Sequence, residues 1–465
     1  MKRLLIITTN FPPSVSIGTQ RILRICKYLD PSQWSISVLT LKEAYYPDAK
    51  HGIAAGFLET LKRLQVYRTH KCDVMFYLVS IRERMRTRFF PAAPQRPGTV
   101  RSESKERETE GGAPLTGIVL QRGFWQKVKD FCTDILQFPD RHITWLPFAM
   151  WKGYRTIKRE SIEVIFSSSP PHSLHIIAAL LKILTGTKLV VDFRDPWARS
   201  PWHDEVRILN GFERWKHRRI QKFERWVVQQ ADTVVLITRE MRDDFVNYYN
   251  DLSTQKFQFF PNGYDPENLQ YAVAHASHNG HKPSKVTFIH AGTLYKYRDP
   301  SPILHALENL FVRGEIDEKR LACLFIGTIT GELSAIPDMA QKKSIRNMVT
   351  FLPPVSYQQV MEYMAQSHVL ILLQPVTKLQ LPGKFFDYLC LGKPIFAVGE
   401  KDSAVEHTIE EGYGIFANYN NVADVEKALL FLYHNPTYNI EFIQKNRRVF
   451  DMSYSIQTLS NILHA

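Results

Sequence analysis

The chain has 465 residues, 44% hydrophobic and 23% charged, which excludes a disordered or fibrous protein and leaves room for two or three globular domains. Its five cysteines, Cys26, Cys72, Cys132, Cys323 and Cys390, form no CxxC pair and no zinc-like spacing with histidine, so a disulfide scaffold is excluded and reduced thiols are the simplest account. The net charge of +13 is uneven: residues 1–260 carry 41 Lys and Arg against 26 Asp and Glu, and residues 261–465 carry 18 against 20.

Met1-Lys-Arg-Leu-Leu-Ile-Ile-Thr-Thr9 superficially resembles a signal peptide, but its apolar core is too short and Asn10-Phe-Pro-Pro13 offers no small-residue cleavage site. Residues 2–9 read instead as a first strand. A loop with Pro12, Pro13 and Gly18 leads to a helix over about 19–29 that buries Ile22, Ile25, Cys26 and Leu29, and residues 34–40 form a second strand. The loop lacks GxGxxG, which argues against a nicotinamide or flavin enzyme. Residues 91–116, proline- and glycine-rich around Arg101-Ser-Glu-Ser-Lys-Glu-Arg-Glu-Thr-Glu110, make no core and read as a mobile insertion.

Strands at 163–168, 188–193, 233–238 and 256–260, with a helix over 173–184, complete the first series. The longest apolar stretch, Leu174 to Leu184, is broken by Lys182, so no segment reads as spanning a bilayer. A second series places strands at 285–291, 321–326, 348–352, 369–373, 394–398 and 413–417. Two successive runs of βα units indicate an α/β protein of two doubly wound, Rossmann-like domains. Ligands then belong at the carboxyl ends of the strands and in the cleft between the domains. The domain limits fall at 1–260 and 261–445, followed by a helix within 446–465. The chain reads as cytoplasmic.

A basic half beside a near-neutral half suggests different partners for the two domains. Solvated surface is the plain reading; an anionic membrane face, a phosphorylated acceptor and nucleic acid are the sharper ones. Arg214-Trp-Lys-His-Arg-Arg219 mixes aromatics with cations but continues with helical spacing through Phe223, Trp226 and Val227, so nucleic acid is the least favoured. Ile143-Thr-Trp-Leu-Pro-Phe-Ala-Met-Trp151, followed by Lys152, Arg155, Lys158 and Arg159, suits an anionic leaflet; an interior helix is the competing reading.

The most informative stretch is Leu381-Pro-Gly-Lys-Phe-Phe-Asp-Tyr-Leu-Cys-Leu-Gly-Lys-Pro394, between two apolar strands. A strand, a turn and a helix in that order set a helix N-terminus, at Gly383, on the carboxyl edge of a parallel sheet. Its free N–H groups and dipole favour an anion. Lys384 adds a cation in the first turn, and Asp387 a carboxylate suited to a pair of sugar hydroxyls. Phosphate and ribose together make a nucleotide the leading ligand.

With this pocket in the second of two Rossmann-like halves, the chain resembles a glycosyltransferase of the GT-B fold, family 4, in which two such domains face each other across a cleft. In the first domain the resemblance rests on Asn10-Phe-Pro-Pro13 with Gly18 and Arg21, Phe138-Pro-Asp-Arg-His-Ile-Thr-Trp145, Ser168-Ser-Pro-Pro-His-Ser173 and Asp192-Phe-Arg-Asp-Pro-Trp197. In the second it rests on Phe260-Pro-Asn-Gly-Tyr-Asp265, His290-Ala-Gly-Thr-Leu-Tyr-Lys-Tyr-Arg-Asp-Pro300 and Pro382–Pro394. It implies retaining transfer from a nucleotide-diphosphate sugar to a glycan or lipid-linked acceptor in surface polysaccharide synthesis, with no cofactor and no bound metal. It also implies a last helix that crosses back to the first domain.

Carried onto this chain, the resemblance makes Lys296, Arg298 and Lys384 the cations that stabilise the leaving diphosphate. Gly292, Thr293, Gly383 and Asp387 hold the donor; Gly18, His172, Arg194 and Asp195 line the acceptor side or cleft. Three positions depart from the family. Thr293 stands where an Arg often grips the diphosphate, Leu379 where a glutamate often meets the donor sugar, and Arg194 where an acceptor-side His is common. Leu379 and Thr293 keep a catalytically weak nucleotide-binding scaffold open as a rival, and a sugar-nucleotide epimerase of the same general fold is a second, although its usual acid–base carboxylates are not apparent.

Overall fold

The computed structural model describes residues 1–14, 16–46, 57–72, 135–199, 211–267, 284–342 and 344–465. The expected insertion at 91–116 lies outside them. Both domains grow from apolar runs buried on both faces, the pattern that parallel strands covered by helices require. The first sheet contains β1 (Lys2–Ile7), β2 (Trp34–Leu41), β3 (Gln65–Thr69), β4 (Val164–Ser169), β5 (Lys188–Phe193), β6 (Thr233–Leu236) and β7 (Phe257–Phe259), in the order β3-β2-β1-β4-β5-β6-β7. The second contains β8 (Val286–Ala291), β9 (Leu321–Ile326), β10 (Val349–Leu352), β11 (Val369–Gln374), β12 (Ile395–Gly399) and β13 (Gly414–Asn418), in the order β10-β9-β8-β11-β12-β13. Neighbouring strands are parallel, as β1 is to β4 and β8 to β11.

Each sheet therefore reverses its strand order once, between β1 and β4 and between β8 and β11. Loops leaving those strands diverge and open a crevice at the carboxyl edge. Strand β3 is the element the sequence conceals. It pairs with β2 at the sheet edge, and Val66, Tyr67 and Arg68 are only half-buried, so its residues show no continuous apolar run.

One helix, Ile17–Tyr28, ties the domains together. Ser16 caps it by accepting from the Thr19 N–H. Arg21 on this helix is 2% exposed and uses all five of its N–H donors. Nε and Nη2 form a fork on the fully buried Asp192 at 3.0 and 2.7 Å, and the rest reach the Phe260 and Pro261 carbonyls and Asn262 Oδ1. Ser168 Oγ donates a further 2.7 Å bond to Asp192. Removing one member of so buried a pair costs about 3–5 kcal/mol, because the other is left charged and unpaired.

The same helix face grips the chain where it leaves the first domain. Arg24 donates to the Gly263 carbonyl, and Lys27 and Tyr28 donate to Asp265 at 3.0 and 2.7 Å. The returning chain runs beside this crossing: Tyr264 N–H donates to the Phe450 carbonyl and Met452 N–H to the Tyr264 carbonyl. Helix Met452–His464 then packs Met452, Ile456, Leu459 and Leu463 into the same cluster as Ile22, Ile25 and Trp34. Trp34 Nε1 closes the contact by donating to Ser460 Oγ at 2.9 Å.

Helix Leu146–Glu160 has two different faces. Ala149, Gly153, Thr156 and Ile157 are buried, and so is Trp145 just before it. Phe148, Trp151 and Tyr154 face outward, with Arg155 over the Trp151 ring and Lys158 over Tyr154. It is neither an interior helix nor a wholly solvated one. Among the described residues, no helix is long and apolar enough to cross a membrane.

Candidate active site

At the carboxyl edge of the second sheet, β8 ends in His290-Ala291 and turns at Gly292, whose φ of +136° favours glycine. A Cβ at Gly292 would fall on the Lys384 Nζ, so the backbone and the lysine amine share one small space. Lys384 itself lies in the first turn of helix Gly383–Leu391. Pro382 precedes this helix without a side-chain cap, and the left-handed Gly392 ends it. The first N–H groups of the helix therefore point out of the sheet edge with the positive end of the dipole.

His290 is 1% exposed and bridges the two sides of this corner. Its Nδ1 lies 3.1 Å from the Ile371 carbonyl oxygen, which can only accept, so Nδ1 carries the proton. Nε2 is left as an acceptor facing Lys384 Nζ at 3.4 Å. Burial, reinforced by Lys384, holds His290 well below its ordinary pKa. Burial also pushes the Lys384 amine down to about 7; Arg298 acts in the same direction and Asp387 against it. The sequence motif contained His290, but nothing local distinguished it from an ordinary strand residue. Its partner lies 94 residues away.

Arg298 is half-buried and stacks on the Tyr295 ring at 5.4 Å; its backbone N–H donates to the Tyr295 carbonyl, and its guanidinium donates no hydrogen bond among the described residues. Lys296 is exposed beside the Tyr297 ring, and Thr293 is exposed as well. The structure thus gathers Gly292, Arg298, Gly383 and Lys384 around one corner, from which Lys296 differs in being exposed. Asp387, on the same helix, is half-buried and accepts from the Tyr357 hydroxyl at 3.2 Å. Burial raises its pKa, opposed by Arg24, the Tyr357 bond and Lys384.

Across the cleft, Arg194 follows β5 and is 8% exposed. Nε donates to the Ser169 carbonyl at 2.8 Å and Nη2 to the Pro170 carbonyl at 3.0 Å, so it does not form an ion pair with Asp195. The guanidinium covers Gly18, where a Cβ would strike both its Nη atoms and Asn10. Gly18 makes room for an arginine here. His172 stacks on Trp197 with centroids 5.0 Å apart and planes 6° from parallel. Asp140 accepts from Ser173 N–H and Oγ at 2.8 and 2.7 Å, anchoring the start of helix Ser173–Thr185.

A cavity of about 420 Å³ lies between the domains. Asp140, His172, Asp195 and Trp197 line it from one side, and Tyr295, Arg298, Thr377 and Gln380 from the other. Gln380 Nε2 donates to Asp195 Oδ1 across the cleft. Leu379 beside it points away: its side chain packs against the first-domain core, and its carbonyl accepts from Thr238 Oγ1 at 2.6 Å. Among the described residues, no group of three or more His, Cys, Asp or Glu is placed to hold a metal ion. The arrangement presents two cations and a helix N-terminus on one wall and an acidic, aromatic cavity beside them, which suits a diphosphate joined to a polar ring.

Residues 129–268 match the family model described as Glycosyltransferase Family 4, and residues 274–449 match the one described as Glycosyl transferases group 1. Together these matches indicate a glycosyltransferase of the GT-B fold. No curated protein matches the chain. Among solved structures, the chain is similar to HepE of Anabaena in complex with UDP and glucose, at 10% identity and a TM-score of 0.59, with all of both chains covered. It is also similar to sucrose-phosphate synthase of Thermosynechococcus elongatus, at 11% identity and a TM-score of 0.63 over 100% of this chain and 98% of that one. A third is an α,α-trehalose-phosphate synthase of Burkholderia xenovorans in complex with glucose-6-phosphate, at 9% identity and a TM-score of 0.62 over the whole of both. These likenesses show the two-domain fold.

The Lys384 amine gives the site a pH signature. It is charged below its pKa of about 7, and a bound anion raises that pKa, so binding takes up a proton once the free amine is neutral. Affinity for a nucleoside diphosphate should be flat below that value and fall above it by up to about tenfold per pH unit. Titration calorimetry between pH 6 and 9 measures this, and Lys384→Arg should flatten the profile. A wild-type profile as flat as that of the variant would remove Lys384 from the anion site.

Proposed function

We propose that the protein transfers a glycosyl group, with retention, from a nucleoside diphosphate sugar to a glycan or lipid-linked acceptor in surface polysaccharide synthesis. The observation that carries this reading is the corner where Arg298, Lys384 and the N-terminus of helix Gly383–Leu391 meet beside the interdomain cavity. Breaking the bond between the anomeric carbon and the diphosphate sends an electron pair to the leaving oxygen. Fixed cations and N–H groups at that oxygen lower the barrier, each worth about 10²–10³ in rate. The acceptor hydroxyl attacks the face from which the diphosphate departs, and its proton passes to the leaving oxygen. The ring gains positive character meanwhile. In this reading the C-terminal domain holds the donor, with Asp387 on the ribose, and the basic N-terminal domain takes the acceptor.

The neighbour HepE is described with UDP and glucose, which makes UDP and UDP-glucose the first probes. Thermal stability should be measured with UDP, GDP, ADP, CMP and their sugar conjugates, for the wild type and for Lys384→Ala and Asp387→Ala. A donor at 100 times its dissociation constant adds about 2.7 kcal/mol, a readily seen shift. One nucleotide series should stabilise the wild type and fail with both variants. No shift from any nucleotide would displace the transferase reading in favour of a scaffold; conversion of a nucleotide sugar without acceptor would favour an epimerase.

We place this work at an anionic membrane surface on the cytoplasmic side. The outward row of Phe148, Trp151 and Tyr154 beside Lys152, Arg155, Lys158 and Arg159 supports that partner, since aromatic rings enter the interface while cations meet lipid phosphates. The protein should sediment with vesicles of anionic lipid at low salt and be released at high salt, and Trp151→Ala should weaken the binding. Equal recovery in the supernatant with and without vesicles would leave the basic half as ordinary solvated surface.

A further inference from the structure

The cavity beside the cation corner contains carboxylates, and they are not equivalent. Among its described lining residues, Asp140 and Asp195 are the acidic ones. Asp140 is fully engaged, its two oxygens accepting from His142 N–H, Ser173 N–H and Ser173 Oγ at 2.7 to 2.9 Å. Asp195 is not. One oxygen, Oδ1, accepts from Gln380, whereas Oδ2 has no hydrogen-bond partner among the described residues and is not sealed off from the cavity. The domain that holds the cation corner offers no carboxylate of its own to this cavity, and its nearby loop residue Leu379 is turned into the core of the other domain.

Gln380 fixes what Asp195 faces. It stands three residues before Gly383, in the loop that delivers the helix N-terminus, and Arg298 lines the same cavity from the same domain. A diphosphate held by Arg298, Lys384 and that N-terminus would project its attached group into the space bounded by Gln380 and Asp195. A sugar ring there carries hydroxyls that donate, and it becomes positive as its bond to the diphosphate breaks. An ionised carboxylate with one free oxygen suits both. Burial raises the Asp195 pKa, opposed by Arg194, which is anchored on the Ser169 and Pro170 carbonyls next to it, and by the Gln380 bond.

We infer that Asp195 is the carboxylate of the donor-sugar subsite, supplied by the opposite domain, and that it accepts a hydrogen bond from the transferred sugar. The inference rests on the transferase reading. It makes sugar recognition a property of the closed cleft: the second domain alone can grip the nucleotide, but a carboxylate for the sugar arrives only with the first.

The test separates nucleotide from sugar. Affinities of UDP, GDP and ADP, and of UDP-glucose, GDP-mannose and ADP-glucose, are measured by calorimetry for the wild type, Asp195→Asn and Arg239→Ala. Asp195→Asn keeps the shape and an oxygen for Gln380 but removes the charge. It should leave the diphosphate affinity unchanged and weaken the matching sugar conjugate about 10- to 100-fold, the loss expected for a charge-assisted hydrogen bond. Arg239→Ala, which breaks the cross-domain ion pair with Glu411 outside the cavity lining, should retain most of the sugar affinity. Wild-type affinity for the conjugate in Asp195→Asn would overturn the inference while leaving the transferase reading intact. So would equal losses in both variants, or loss of the diphosphate along with the sugar, because either marks a structural role. A wild type that binds no nucleotide would overturn the transferase reading and this inference with it.

Discussion

The buried fork between Arg21 and Asp192 is the constraint on which the rest of the molecule depends. It joins the first helix to the end of β5 and, through the remaining guanidinium donors, to residues 260–262 where the chain leaves the first domain. Arg24, Lys27 and Tyr28 extend that grip to residues 263–265. Gly263 fits because the returning chain lies against it, a Cβ there striking the Phe450 carbonyl. Both crossings between the domains thus run side by side under one helix face. A buried ion pair is poor evidence for net stability, but it is a strong device for position. Here it positions the residues that follow β5, Arg194 and Asp195, on the wall facing the second domain.

The opposite wall uses the same economy of space. Lys384 cannot relax into the backbone of Gly292, and His290 offers it a neutral acceptor in place of a carboxylate. An acidic partner would have neutralised the lysine and left little attraction for a phosphate. Imidazole and a half-buried guanidinium lie nearby, Asp387 opposes them from the same helix, and among the described residues Lys384 has no ion-pair partner in this partly desolvated setting. Burial, reinforced by Arg298 and opposed by Asp387, lowers the pKa of Lys384, and an anion beside the amine would raise it again.

The strands were legible because buried parallel strands are continuous apolar runs, and the helix at Gly383 was legible because strand, turn and helix are adjacent in sequence. Strand β3 was not, since its edge position leaves Gln65 exposed and Val66, Tyr67 and Arg68 only half-buried. Contacts between distant segments were hidden for a different reason. Asp195 and Gln380 are 185 residues apart, and no local pattern pairs them. The sequence also singled out the three departures at Thr293, Leu379 and Arg194 without saying what replaces the missing groups. The structure gives two of them a physical role: Leu379 joins the interdomain packing, and Arg194 braces the loop after β4 over Gly18. Lys296, equal to Arg298 by spacing, differs from it in being exposed.

The proposed transfer requires a diphosphate to dock at the corner formed by Arg298, Lys384 and the N-terminus of helix Gly383–Leu391. A crystal structure of the protein saturated with the nucleoside diphosphate that stabilises it most tests this directly. Phosphate oxygens should lie within hydrogen-bond distance of the Arg298 guanidinium, Lys384 Nζ and the first N–H groups of that helix, with the ribose hydroxyls at Asp387. Phosphates bound elsewhere, or a corner left empty beside an occupied site, would contradict it.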